Sequence, residues 1–217
     1  MKKLLFMILF IISLFVLSCN HNKSNSSLTN PIGKVGEITV NPLDVTPLSA
    51  VYTTASVNAV PITVTVKGLY GEPDIIHTYP AGYATEFEIH GMFPESHNTI
   101  IVNDGGRTIT KNIYIGTLST SDNITIQKKY DVEINELNEE KYPNNPDLYI
   151  VMSSIGAGSI LGISPKGYIR YFIKYYGSSL KIENKMLILH SNNSRNVISL
   201  IGKIIKTKPT NIHHDTI

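Results

Sequence analysis

The chain has 217 residues, 42% hydrophobic and 17% charged, with 15 Gly, 11 Pro, 12 Tyr, one Cys and no Trp. That length makes one large domain or two small ones, and the composition is neither disordered nor collagenous. A single cysteine excludes a disulfide-stapled scaffold; Lys2 and Lys3 account for the formal charge of +2, so the remaining body is neutral and excludes a nucleic-acid partner held by a basic face.

Met1-Lys2-Lys3 is a short positive start, followed by an apolar run from Leu4 to Leu17 broken only by Ser13. The run has the length of a signal-peptide core and falls short of the roughly 20 residues a membrane span needs. It closes on Val16-Leu17-Ser18-Cys19, which is similar to the lipobox of bacterial lipoproteins. That similarity implies a diacylglycerol on the Cys19 thiol, cleavage after Ser18, and Cys19 as the acylated N-terminus. A plain secretory signal with an incidental cysteine is the alternative. Asn20 to Asn30 is polar and rich in Ser and Asn, too poor in apolar surface to order itself. Residues 1–18 are therefore expected to be a lipoprotein signal peptide and 19–40 a flexible tether. The expected location is extracytoplasmic, lipid-anchored to a bacterial membrane in the periplasm or at the cell surface.

Beyond residue 40 short runs of period two recur between turn residues, and no stretch holds a helical period for three turns. Ser49 to Ser56 is the first predicted strand. Pro61 to Gly68 alternates cleanly, with Ile62, Val64 and Val66 on one face and Thr63, Thr65 and Lys67 on the other. Thr85 to His90 places Phe87 and Ile89 inward. Asn98 to Asn103, Asp104-Gly105-Gly106 and Arg107 to Tyr114 read as a hairpin. Strands at this spacing over 41–127 predict a small immunoglobulin-like antiparallel β-sandwich, without the Cys…Trp…Cys core of antibody domains.

Residues 128–147 change character. Asp131 to Glu140 concentrates acid and Tyr142 to Asp147 is turn chemistry, so the segment reads as a linker whose charges are solvated. Residues 148–217 predict further strands at Leu148 to Ser153, Ser159 to Ile163, Tyr168 to Tyr175, Met186 to Ser191 and Asn196 to Lys206. Gly167-Tyr168-Ile169 after Ile163 echoes Gly202-Lys203-Ile204 after Ile198, a strand, a tight turn and a strand repeated after 35 residues. A propeller blade repeats at a similar interval, although any two hairpins can match at a glycine.

The last residues, Asn211 to Ile217, contain His213-His214-Asp215. On a strand His213 and Asp215 share a face and His214 takes the other, a poor geometry for holding one metal ion. A single histidine facing a cleft suits anion binding or proton movement, and a surface histidine pair is the alternative. His21, His77, His90, His97 and His190 are scattered and carry no assigned chemistry. No nucleophile elbow, phosphate-cradling glycine loop or zinc motif of the HExxH type is present.

Five stretches carry a family resemblance. Asn41 to Val51, Thr63 to Ile75 and the His90-Gly-Met-Phe-Pro-Glu-Ser-His-Asn98 corner resemble the opening of the bacterial arylsulfate sulfotransferases. Asp147 to Tyr171 is similar to that family's first propeller strands, and His213-His214-Asp215 to its His-His-Asp segment near the propeller axis. The resemblance implies an all-β chain in which an immunoglobulin-like sandwich over 41–127 precedes a propeller that begins at 148–217 and is incomplete there. It implies transfer of a sulfuryl group from an aryl sulfate donor to a phenolic acceptor through a sulfohistidine, with no cofactor and no metal. His213 and His214 then become catalytic-site contacts to the sulfuryl or phenol oxygens. The nucleophilic histidine would lie beyond residue 217, leaving the chain inactive by itself, and the full-length form admits a homodimer. A non-catalytic surface lipoprotein with a binding or adhesion sandwich is the competing reading.

Overall fold

The computed structural model describes residues 31–120, 122–131, 149–152, 159–174, 179–184, 186–191 and 194–209. Every regular element among them is a strand, and every strand pairing is antiparallel. The first seven strands are β1 (Ile38–Val40), β2 (Ser49–Thr53), β3 (Ile62–Val66), β4 (Ile75–Tyr79), β5 (Glu86–His90), β6 (Ser96–Asn103) and β7 (Thr108–Ile115). They form two sheets, β1-β2-β5 and β4-β3-β6-β7. β2 pairs with β5 and β3 with β6, so the chain crosses between sheets three times, the Greek-key route of an immunoglobulin-like sandwich.

Period two explains why these segments fold this way. Ile62, Val64 and Val66 are buried while Thr63 and Thr65 between them are half-exposed, and Phe87 and Ile89 point into the same core. Asp104-Gly105 turns β6 into β7, with eight residue pairs in register from Ser96↔Ile115 to Asn103↔Thr108. Two findings differ from expectation at the edges. Ile38–Val40, assigned to the tether, pairs with β2 because Ile38 reaches the core, where it is 3% exposed. β4 escaped notice because Ile75 and Ile76 sit side by side and its three middle residues are exposed, so it carries no clean alternation.

A short ladder of β8 (Leu118–Ser119) and β9 (Thr125–Ile126) closes the sandwich, contributing Leu118 and Ile126 to its core. Then come β10 (Tyr149–Met152), β11 (Ile160–Ile163) and β12 (Ile169–Ile173) as one meander, and β13 (Ser179–Glu183), β14 (Met186–Ser191), β15 (Ser194–Ser199) and β16 (Ile204–Pro209) as a second. The start of the expected linker is itself paired: Lys129 bridges to Tyr168, and the amide of Ile169 donates to Lys128.

The echo at 35 residues is a structural repeat. In both turns a serine carbonyl, Ser164 or Ser199, accepts the amide of Gly167 or Gly202, and the serine amide donates one residue further, to Tyr168 or Lys203. In both, the serine hydroxyl accepts the amide four residues on. Both hairpins shift register at the equivalent place, Gly162/Ile163 and Val197/Ile198. Gly167 and Gly202 have φ of 88° and 85°, in the left-handed region where a Cβ is strained.

β12 joins the two halves, since all five of its residues are buried. Phe172 enters the sandwich core with Leu161 and Ile169, while Tyr171 and Ile173 enter a second core with Leu187, Leu189 and Ile198 of the four-stranded sheet. At about 1.5–3 kcal/mol per buried large apolar side chain, this one strand is a major tie across the molecule.

Candidate functional site

Of the residues singled out in the sequence, Cys19, His213 and His214 lie outside the described residues. Within them the chemistry concentrates where the sandwich meets the meanders. Arg170 on β12 is 1% exposed. Its Nε donates to the Gly91 carbonyl at 2.9 Å and its Nη1 to the Pro73 carbonyl at 3.1 Å, and its guanidinium lies 4.2 Å from the centre of the Phe93 ring. Asp74 stands nearby. Hydrogen bonds from Lys67 and from the Gly68 amide hold its carboxyl below the usual carboxylate range, with the field of Arg170 adding to them.

The loop between β3 and β4 grips the first repeat turn. Ser164 Oγ donates to Glu72 Oε1 at 2.7 Å, and Lys166 Nζ donates to the Gly71 carbonyl at 2.6 Å. Tyr70 stacks on Tyr168 with centroids 5.1 Å apart and planes 11° from parallel. Phe93 meets both rings edge-on, and Lys128 and Lys129 stand over Tyr70 and Tyr168. The second repeat turn sits on the β1–β2 loop: Thr46 Oγ1 donates to the Ile201 carbonyl at 3.3 Å, and the Lys174 amide donates to Val45.

Beside this second contact opens a cleft of about 900 Å3. Its sandwich wall carries His77, Tyr79, Tyr83, Glu86, Glu88 and His90; its other wall comes from β13–β16 and the turns between them. Tyr79 donates its hydroxyl to the Glu88 carbonyl at 2.7 Å, and Tyr171 donates to the Leu200 carbonyl at 2.6 Å. Burial drives both phenols well above the ordinary tyrosine range, so they act as donors at any physiological pH.

His90 holds Ser49 Oγ at Nδ1 (2.8 Å) and Glu88 Oε2 at Nε2 (3.2 Å). The connectivity is that of a Ser-His-Glu triad, but Ser49 is 0% exposed, so no substrate can reach its oxygen. The trio is a cross-strand brace. Among the described residues no cluster of three or more His, Cys, Asp or Glu could hold a metal ion.

Sequence reasoning missed Arg170, Glu72 and the cleft histidines. Nothing in the run Tyr168–Tyr175 says that both of its faces are covered, so the sequence gives no sign that Arg170 is buried. The available signal was the 35-residue echo, which marked both turns but not the loops that receive them.

An immunoglobulin-like sandwich braced against a following set of antiparallel meanders defines the class of architecture. Residues 37–117 match the family model described as the arylsulfotransferase Ig-like domain. Over that stretch the chain is similar to the N-terminal domain of the arylsulfotransferases. No curated protein matches it.

Proposed function

We propose that this chain is the front part of an exported arylsulfate sulfotransferase, with the sandwich acting as the platform on which the first propeller blades are registered. The match of residues 37–117 to the arylsulfotransferase Ig-like domain carries this reading. It is supported by the four-stranded meander β13-β14-β15-β16, which has the strand order of a propeller blade. By resemblance, a neutral imidazole nitrogen attacks the sulfur of an aryl sulfate, the sulfur–oxygen bond to the aryl group breaks, and the phenolate leaves. The oxygen of an acceptor phenol then attacks the sulfohistidine, loses its proton and restores the imidazole. His213 and His214 would contact the sulfuryl or phenol oxygens, stabilising negative charge as it develops. Cys19 would carry the lipid that keeps the enzyme at the membrane.

The test is release of 4-nitrophenol from 4-nitrophenyl sulfate in the presence of phenol. The 217-residue chain is expected to give none above background. The same chain expressed with any reading frame that follows residue 217 is expected to transfer, and an acid-labile sulfohistidine should be trapped by mass spectrometry when the acceptor is omitted. Transfer without any trapped histidine adduct would overturn the proposed intermediate. Absence of transfer in the extended protein would overturn the activity.

A further inference from the structure

We infer that the cleft beside the second repeat turn binds small carboxylates with an aromatic or apolar body, and that Ser199 and Lys203 form its anion-accepting end. The two copies of the repeat differ in what their serine hydroxyls donate to. In the first, Ser164 Oγ accepts the Tyr168 amide and spends its own proton on the buried carboxylate of Glu72, at 2.7 Å. The protein thus supplies a carboxylate to its own turn. In the second, Ser199 Oγ accepts the Lys203 amide at 3.2 Å and, among the described residues, donates to nothing. Ser199 lines the cleft instead, and where the first turn has the Tyr168 ring the second has the half-buried Lys203, also lining the cleft.

The Lys203 ammonium has no ion-pair partner among the described residues. A half-buried cation facing a cavity gains when an anion enters, because its lost hydration is replaced by a charge-assisted hydrogen bond. The two cleft carboxylates are already engaged. Glu86 accepts the Ile32 amide, and Glu88 faces His90. The remaining surface suits a ring: Tyr79 and Tyr83 stand 5.1 Å apart on one wall, with Met186, Leu200 and Ile201 on the other. A volume of about 900 Å3 admits such a ligand with room for water. The inference does not depend on sulfuryl transfer.

The experiment is calorimetric titration of the full chain with 2-naphthoate, 2-naphthamide and acetate. Naphthoate should bind saturably, and the amide (ring without charge) and acetate (charge without ring) should each bind at least ten-fold more weakly. Lys203→Met should weaken naphthoate about ten-fold, Ser199→Ala by a smaller factor, and Lys203→Arg should retain binding. Lys166→Met, at the first turn, should leave it unchanged. If Lys203→Met does not fold, Lys203→Gln and the ring-proton shifts of Tyr83 on titrating the native chain provide the same readout. Equal binding of amide and acid, indifference to the Lys203 substitutions, or no saturation by millimolar naphthoate would each overturn the inference.

Discussion

Tyr52 is 0% exposed and sends its hydroxyl to Asp104 Oδ2, 2.8 Å away at the β6–β7 turn. Arg107 Nε donates to the same oxygen at 2.9 Å and Nη2 to the Tyr52 hydroxyl at 2.9 Å, while the amides of Gly106 and Arg107 donate to Oδ1. Burial alone would raise the Asp104 carboxyl, but the bonds from Arg107 and Tyr52 outweigh it and hold the group below its ordinary range. A depressed carboxyl stabilises the fold above its unfolded value near 3.9, and that stabilisation disappears as pH falls through the lower folded value. Asp104→Asn should therefore cost about 1–3 kcal/mol at pH 7, from lost hydrogen bonds to a charged acceptor. Urea midpoints taken from pH 7 down to pH 2 should converge between variant and parent. A difference that persists at pH 2 would assign the effect to side-chain shape instead of charge. Asp104-Gly105-Gly106 was legible as a turn because its chemistry is local. Its bond to Tyr52 was not, because a tyrosine on an alternating strand says only that it faces inward.

The strands divide along the same line. β3 and β5 could be read from sequence because one face is core and the other solvent, which imprints period two. β12 could be placed but not understood, since a strand covered on both faces reads as an unbroken apolar run around an arginine. β13 escaped because Lys181 and Glu183 share its five residues with two apolar ones. The candidate site suffered most: two turns 35 residues apart were visible, yet their partners at Glu72 and Val45 lie on loops without periodicity. The second turn gives a quantitative check. A Cβ on Gly202 would stand 2.4 Å from Val45 Cγ2 as well as forcing φ of 85° on an alanine. Gly202→Ala should cost roughly 1–3 kcal/mol from backbone strain alone, with the clash added. In a double-mutant cycle Val45→Ala should relieve part of that cost, giving a coupling of about 1 kcal/mol. Strict additivity in denaturant melts would mean the β1–β2 loop moves aside freely, and that the turn is not seated on it.

At the scale of the whole molecule, two claims separate cleanly. If the chain is exported and anchored as proposed, Cys19→Ala should abolish acyl labelling and leave precursor uncleaved, because no other cysteine exists to take the lipid. Palmitate incorporated by that variant would end the lipoprotein reading. The second claim concerns how the sandwich and the meanders hold together. Leu161, Ile169 and Phe172 belong to the sandwich core, whereas their neighbours Ile160, Tyr171 and Ile173 belong to the other core. Between them Arg170 satisfies two sandwich carbonyls from inside β12. Opening either half would strand those carbonyls and expose apolar residues of the other, so the two cores should open together. Native-state hydrogen exchange should then give the amides of Val64, Val102, Phe172 and Leu189 opening free energies within about 1 kcal/mol of each other, as one cooperative unit. Arg170→Met keeps the apolar stem but leaves the Gly91 and Pro73 carbonyls without their charged donor, a loss of roughly 3 kcal/mol. Its effect should fall on all four amides equally. If Leu189 instead exchanged several kcal/mol more easily than Val64 in the native chain, the four-stranded meander would be opening on its own. The sandwich would then be a neighbour of the meanders and not the platform that sets their register.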